Sequence, residues 1–228
     1  MKYIRCGTFE TNSSSCHSIT FNNGGNNVQG KTKFLYAEAR NVYCGSDNYQ
    51  YDRDYGYEYD AGAPIGNPQG KFEYALICYL EQLETMANDE KEKWYGEHPD
   101  EKEKLKLSED SNIRWNAPLP EEIYNRFVDD YKATKNLIID VFANEYDIEV
   151  EWDIPDPRTL DEVNSGKSYS GKFYTRELFD IDGCIDHDSS CIQHDEDAWT
   201  LADMVRDPHQ LYNWTFIETN DVTLRYCG

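Results

Sequence analysis

The chain has 228 residues, 39% of them hydrophobic and 14% aromatic, and a formal net charge of -22. The aromatic content excludes a disordered chain, and the length is enough to bury a sizeable core. The charge excludes ordinary binding to nucleic-acid backbones and anionic membranes, because no local basic patch offsets it.

Lys2 to Glu10 reads as a strand entering a turn, and Ser18 to Phe21 as a second short strand with Ile19 and Phe21 on one face. Asn22 to Asn27 is a turn signal. Lys33 to Tyr43 is a strand containing Phe34, Tyr36 and Val42, although Ala37-Glu38-Ala39-Arg40 also allows a helical turn. Residues 46–60 are rich in Tyr and Asp, with Tyr at every second position from Tyr49 to Tyr51 and from Tyr55 to Tyr59, which suits an edge strand or hairpin, and Gly62 to Gly70 is a loop.

Phe72, Ala75, Leu76, Tyr79, Leu80 and Leu83 fall at helical spacing and predict a helix with its apolar stripe toward the core. Residues 88–112 are dense in Glu and Lys, with few apolar positions, and read as an exposed charged insertion, partly helical or mobile. A second helix is predicted from near Pro120, with Ile123, Phe127 and Tyr131 on its apolar face, continued by Leu137, Ile138, Val141 and Phe142. Ile148, Val150 and Trp152 alternate as a strand that stops at Pro155. Pro155 to Gly171 is loop-like, and Lys172 to Ile181 fits a strand or a helix. Glu196 to Arg206 reads as a short helix ended before Pro208. Leu211 to Ile217 and Val222 to Tyr226 then form a hairpin.

No internal repeat and no linker composition divides the chain. The expected architecture is one α+β domain over residues 1–228, with a mixed or antiparallel sheet, two main helices and the charged insertion at 88–112. No stretch is long and apolar enough to span a bilayer, and the N-terminus lacks the apolar core of a signal peptide. Seven cysteines, an odd number without close tandem pairs, then point to reduced thiols and a cytoplasmic protein.

Two polar clusters concentrate reactive side chains. The first is Glu10-Thr11-Asn12-Ser13-Ser14-Ser15-Cys16-His17-Ser18; the second runs from Asp182 to His194. Together they hold three of the five histidines and three of the seven cysteines. In the first, the Ser13, Ser14 and Ser15 hydroxyls, Asn12 and the loop amides can bind phosphate or carboxylate oxygens. His17 is the general acid or base of that cluster, and Ser13, Ser14, Ser15 or Cys16 a possible nucleophile. The competing reading is a turn in which the serines cap backbone groups.

The second cluster has four readings. Cys184, His187, Cys191 and His194 have donor types suited to zinc, though four ligands within one short stretch are cramped. Asp186-His187-Asp188 can hold a catalytic divalent cation, with His17 or Glu10 as further ligands. Asp186 can orient His17 or His187 for proton transfer. Or the segment is a polar loop that caps the following helix, with Asp195 as a cap.

The run Phe9-Glu10-Thr11-Asn12-Ser13-Ser14-Ser15-Cys16-His17-Ser18, preceded by Arg5 and Gly7, resembles the N-terminus of a family of small proteins encoded by phages and bacteria. The family pattern there is Arg-x-Gly-x-Phe-Glu-Thr-Asn-Ser-Ser-Ser-x-His-Ser. Its members also tend to carry Gly-x-Ile-Asp-His-x-Ser, similar to Gly183 through Ser189, and a Tyr-Gly-Tyr-Glu segment ahead of a Tyr-rich helix, similar to Tyr55 through Glu58. The resemblance implies a phage or mobile-element origin and, for a phage protein, residence in the host cytoplasm. It supplies no activity. It also makes Cys184 incidental, since that position varies in the motif, which weakens the four-ligand zinc reading.

The site expectation is therefore a shared one. His17, His187 and Asp186 supply acid/base chemistry or hold a divalent cation, while Asn12, Ser13, Ser14, Ser15 and Ser189 bind a phosphorylated or nucleotide-like anionic small molecule. These residues fit an enzyme or a binding protein equally well. The alternative is a non-enzymatic acidic phage protein whose Tyr-rich surface binds and inhibits a host defence protein, in the manner of a nucleic-acid mimic.

Overall fold

The computed structural model describes residues 16–19, 33–39, 42–43, 68–106, 112–167, 173–181, 184–185, 195–217 and 224–227. The chain divides into two compact units: Met1–Tyr79, Leu137–Ile154 and Ile181–Gly228 make the first, and Leu80–Asn136 with Pro155–Asp180 the second. Helices dominate and strands are short, so α+β holds at the level of class.

The first unit contains strands β1 (Cys16–Ile19), β2 (Phe34–Ala37) and β3 (Val42–Tyr43). Helix α1 (Pro68–Glu97) begins there and continues into the second unit. Short helices α2 (Pro99–Lys104) and α3 (Ile113–Asn116) follow it. Helix α4 (Glu121–Tyr146) starts in the second unit and ends in the first, where β4 (Glu149–Trp152) succeeds it. α1 and α4 are the two main helices anticipated from the apolar spacing and from Pro120, whose carbonyl accepts the Ile123 and Tyr124 amides at the start of α4. The second unit is completed by α5 (Leu160–Asn164), β5 (Gly166–Lys167) and β6 (Phe173–Tyr174). The first is completed by β7 (Cys184–Ile185), α6 (Asp195–Val205), α7 (Pro208–Tyr212), a π-helical turn (Asn213–Ile217) and β8 (Leu224–Cys227).

The described strands pair two by two. β1 with β8 and β5 with β6 are antiparallel; β2 with β4 and β3 with β7 are parallel. The expected hairpin of Leu211–Ile217 with Val222–Tyr226 does not form. Residues 211–217 are helical, because Pro208 opens a new helix and the Asp207 carboxylate caps it, accepting from the His209 and Gln210 amides. The C-terminal strand pairs with β1 instead. The loop expected over Pro155 to Gly171 also holds a helix, α5. Its start is a capping box, in which Thr159 and Glu162 each bond the other's backbone amide.

α1 departs from a one-faced amphipathic helix. Every residue from Lys71 to Leu80 is buried, so this part of the helix is surrounded. A helix covered on all sides should be apolar all round. This one carries Lys71, Glu73 and Gln82 inward, and polar partners must compensate for their burial. The Lys71 ammonium donates to the Trp214 carbonyl at 3.1 Å and lies 5.4 Å from the Trp214 ring centroid. The guanidinium of Arg206 sits 4.9 Å over the Tyr79 ring. Residues 88–97 of the charged stretch continue α1, with Lys91 and Tyr95 buried on it.

Side-chain amides satisfy both backbone groups of one residue at two points. In the first unit, Gln69 accepts from the Tyr36 amide at 3.0 Å and donates to the Tyr36 carbonyl at 2.8 Å. In the second, Asn164 accepts from the Leu119 amide at 2.7 Å and donates to its carbonyl at 3.0 Å. Asn164→Ala is expected to destabilise the protein by about 1–3 kcal/mol, since it strands two partly buried backbone groups. Chemical denaturation of the variant beside wild type measures this, and an unchanged midpoint would show that water replaces the amide.

Candidate functional site

Of the sequence-predicted site residues, His17 lies on a described element. It is the second residue of β1, in register with Tyr226 of β8, while Cys16, Ser18 and Ile19 face Cys227, Arg225 and Leu224 across the antiparallel ladder. Asn12, Ser13, Ser14, Ser15, Asp186, His187 and Ser189 lie outside the described residues, as do Glu10, Asp188, Cys191, His194 and the Tyr/Asp segment. β7 ends at Ile185, the residue before Asp186, and pairs in parallel with β3 through Val42–Cys184 and Tyr43–Ile185. β1 and β7 both belong to the first unit. Among the described residues, no group of three or more His, Cys, Asp or Glu side chains is arranged to hold a metal ion.

The two described histidine side chains outside the motifs are engaged locally. His98 stacks on Trp94 at 4.2 Å between ring centroids, its Nδ1 lying 2.8 Å from the Trp94 carbonyl. His209 Nδ1 lies 2.8 Å from the Tyr146 hydroxyl, beside the face-to-face stack of Tyr146 and Tyr212 at 3.6 Å. His209 Nδ1 also lies 3.8 Å from the Glu145 carboxylate, an exposed pair on the surface of the first unit.

Sequence reasoning missed a pair of buried charges on α1, in the second unit. The Glu84 carboxylate accepts the Leu178 and Phe179 amides through one oxygen. Burial pushes its pKa up to about 7, against the opposing pull of those amides. Arg158 binds the same segment. Its backbone amide donates to the Leu178 carbonyl at 2.7 Å. Its guanidinium donates to the carbonyls of Glu177 and Phe179 at 3.0 and 3.1 Å and to the Asp180 carboxylate at 2.5 Å. Together these contacts fix the backbone of residues 177–180, two residues ahead of the Gly183–Ser189 motif in sequence.

Lys91 is 0% exposed and donates to the Arg114 carbonyl at 2.6 Å. Burial first, and then the nearby Arg114 charge, lower its pKa to about 8. The signal for both residues was present in the sequence: Leu80 to Glu84 and Ala87 to Lys91 are each one i, i+4 step along the apolar stripe. Extending the stripe past Leu83 places charged residues at core-facing positions.

No known protein family, curated protein sequence or solved structure matches this chain. No helix of the described residues is long and apolar enough to cross a membrane.

Proposed function

We propose that the N-terminal and C-terminal motifs form one polar site that takes a phosphorylated or nucleotide-like anionic small molecule. Asn12, Ser13, Ser14, Ser15 and Ser189 bind its oxyanion. His17 and His187, with Asp186, move a proton or hold a divalent cation. The observation that supports this reading is the membership of β1, which carries His17, and β7, which leads into Asp186, in one compact unit although far apart in sequence. Electrostatics adds a requirement. In a chain of net charge -22, with Asp182, Asp186 and Asp188 in the same polar cluster, a bare anion is repelled. Asp186 and His187 would hold a divalent cation, whose charge would offset that repulsion.

Separate His17→Ala and His187→Ala variants, checked for folding by circular dichroism, test the reading. Titration with a nucleoside monophosphate and with inorganic phosphate, each with and without magnesium, is expected to show about tenfold or greater weakening in each variant. Unchanged binding in both folded variants would overturn it.

The net charge also favours a second reading, a non-enzymatic phage protein that engages a basic surface of a host defence protein. In that case charge reversal across Asp47 to Asp60 abolishes a partner interaction that both histidine variants retain.

A further inference from the structure

The parallel pair β2·β4 has an outer face of unusual composition that no described element covers. Register sets Phe34 opposite Glu149 and Tyr36 opposite Glu151. Strand alternation turns Leu35, Ala37 and Val150 inward, where they are buried, and leaves Phe34, Tyr36, Glu149 and Glu151 on the outer face. Tyr36 is 45% exposed, and both glutamates are exposed. The two rings meet edge to face at 4.5 Å between centroids. The nearby Lys33 ammonium is held by Asp147 at 2.5 Å. Two π faces beside two carboxylates, with no basic side chain bonded to either glutamate among the described residues, complement a planar cation.

We propose that this face docks a basic protein segment through arginine side chains, each guanidinium stacking on Phe34 or Tyr36 and meeting Glu149 or Glu151. The Gln69 amide decides the mode of docking. It occupies the outward amide and carbonyl of Tyr36, so a partner cannot add as a strand along that edge and engages the side-chain face instead. Arginine is favoured over lysine because its planar, weakly hydrated cation both stacks on a ring and forms paired bonds to a carboxylate, which an ammonium does less well. The proposal is independent of the polar site. It rests on the second, partner-binding reading and assigns that reading a surface.

Nona-arginine and nona-lysine peptides, titrated into the full chain at moderate salt, provide the test. Wild type is expected to bind nona-arginine more tightly than nona-lysine. The double variant Glu149→Gln/Glu151→Gln should weaken nona-arginine about fivefold to tenfold. A control pair that removes the same charge from exposed sites elsewhere, Glu103→Gln/Asp129→Asn, should weaken it less than about twofold. Tyr36→Leu, which keeps an apolar strand residue, should reduce the preference for arginine about threefold. Equal losses from the two charge pairs, or a preference for arginine unaffected by Tyr36→Leu, would overturn the proposal. If charge reversal across Asp47 to Asp60 removes binding while Glu149→Gln/Glu151→Gln does not, the sheet face is refuted and the partner-binding reading stands. If neither change matters, both are refuted.

Discussion

Phe142→Ala is expected to lower the stability of the protein by about 3–5 kcal/mol. Phe142 is 0% exposed on α4, with its ring 5.7 Å from Phe72 on α1, 6.0 Å from Tyr146 and 6.1 Å from Tyr212 on α7. Truncation removes contacts to α1, to α7 and to the end of its own helix at once, and three rings that meet at tilted and edge-on angles do not collapse readily into the space. Urea denaturation should show a lower midpoint with little change in slope. Leu137→Ala, at a residue 45% exposed on the same helix, should fall within about 0.5 kcal/mol of wild type. Equal effects of the two substitutions would contradict the placement of this core.

The second large effect is a pH dependence that resides in Glu84. Its pKa is raised from 4.5 to about 7 in the folded chain. Between those values the folded protein keeps a proton that the unfolded chain has lost. The associated stability is therefore fully present below pH 4.5 and is lost as pH rises through 7. By linkage the loss is about 3 kcal/mol. Glu84→Gln keeps an oxygen to accept the Leu178 and Phe179 amides and cannot ionise. Its stability relative to wild type should climb by a similar amount between pH 5 and pH 8, whereas parallel curves would rule out the buried carboxylate as the cause. Glu84→Ala should destabilise at every pH, because both amides lose their acceptor. Lys91 acts in the opposite direction above neutrality. Its pKa is lowered from 10.5 to about 8, so stability recovers as pH rises from 8 toward 10.5.

The long helices were legible because their signals are local and repeated. Phe72, Ala75, Leu76, Tyr79, Leu80 and Leu83 all lie in the core, and Pro120 does precede α4. β4 was legible from the alternation of Ile148, Val150 and Trp152 ahead of Pro155. The failures have physical causes. Residues 211–217 carry a strand-like composition, but the Asp207 cap and Pro208 commit the chain to a helical turn before that composition can act. α5 was missed although Thr159 and Glu162 spell a capping box, since only five residues follow the cap and no apolar period can develop. Burial around the whole circumference of α1 from Lys71 to Leu80 is set by tertiary neighbours, so the one-sided stripe could not reveal Lys71 and Glu73 as interior residues. For the site, the chain pattern singled out residues by chemical type and motif. Which distant segments meet is set by long-range pairing, such as β1 with β8 and β3 with β7, and no local period encodes it.

In the proposed site His17 and His187 serve one ligand. The most direct measurement follows the imidazole resonances of both residues by nuclear magnetic resonance while a nucleoside monophosphate and magnesium are added. A shared site predicts that both resonances move with one dissociation constant, and that His17→Ala weakens the response of His187. Movement of one histidine alone, or two unrelated dissociation constants, would contradict it.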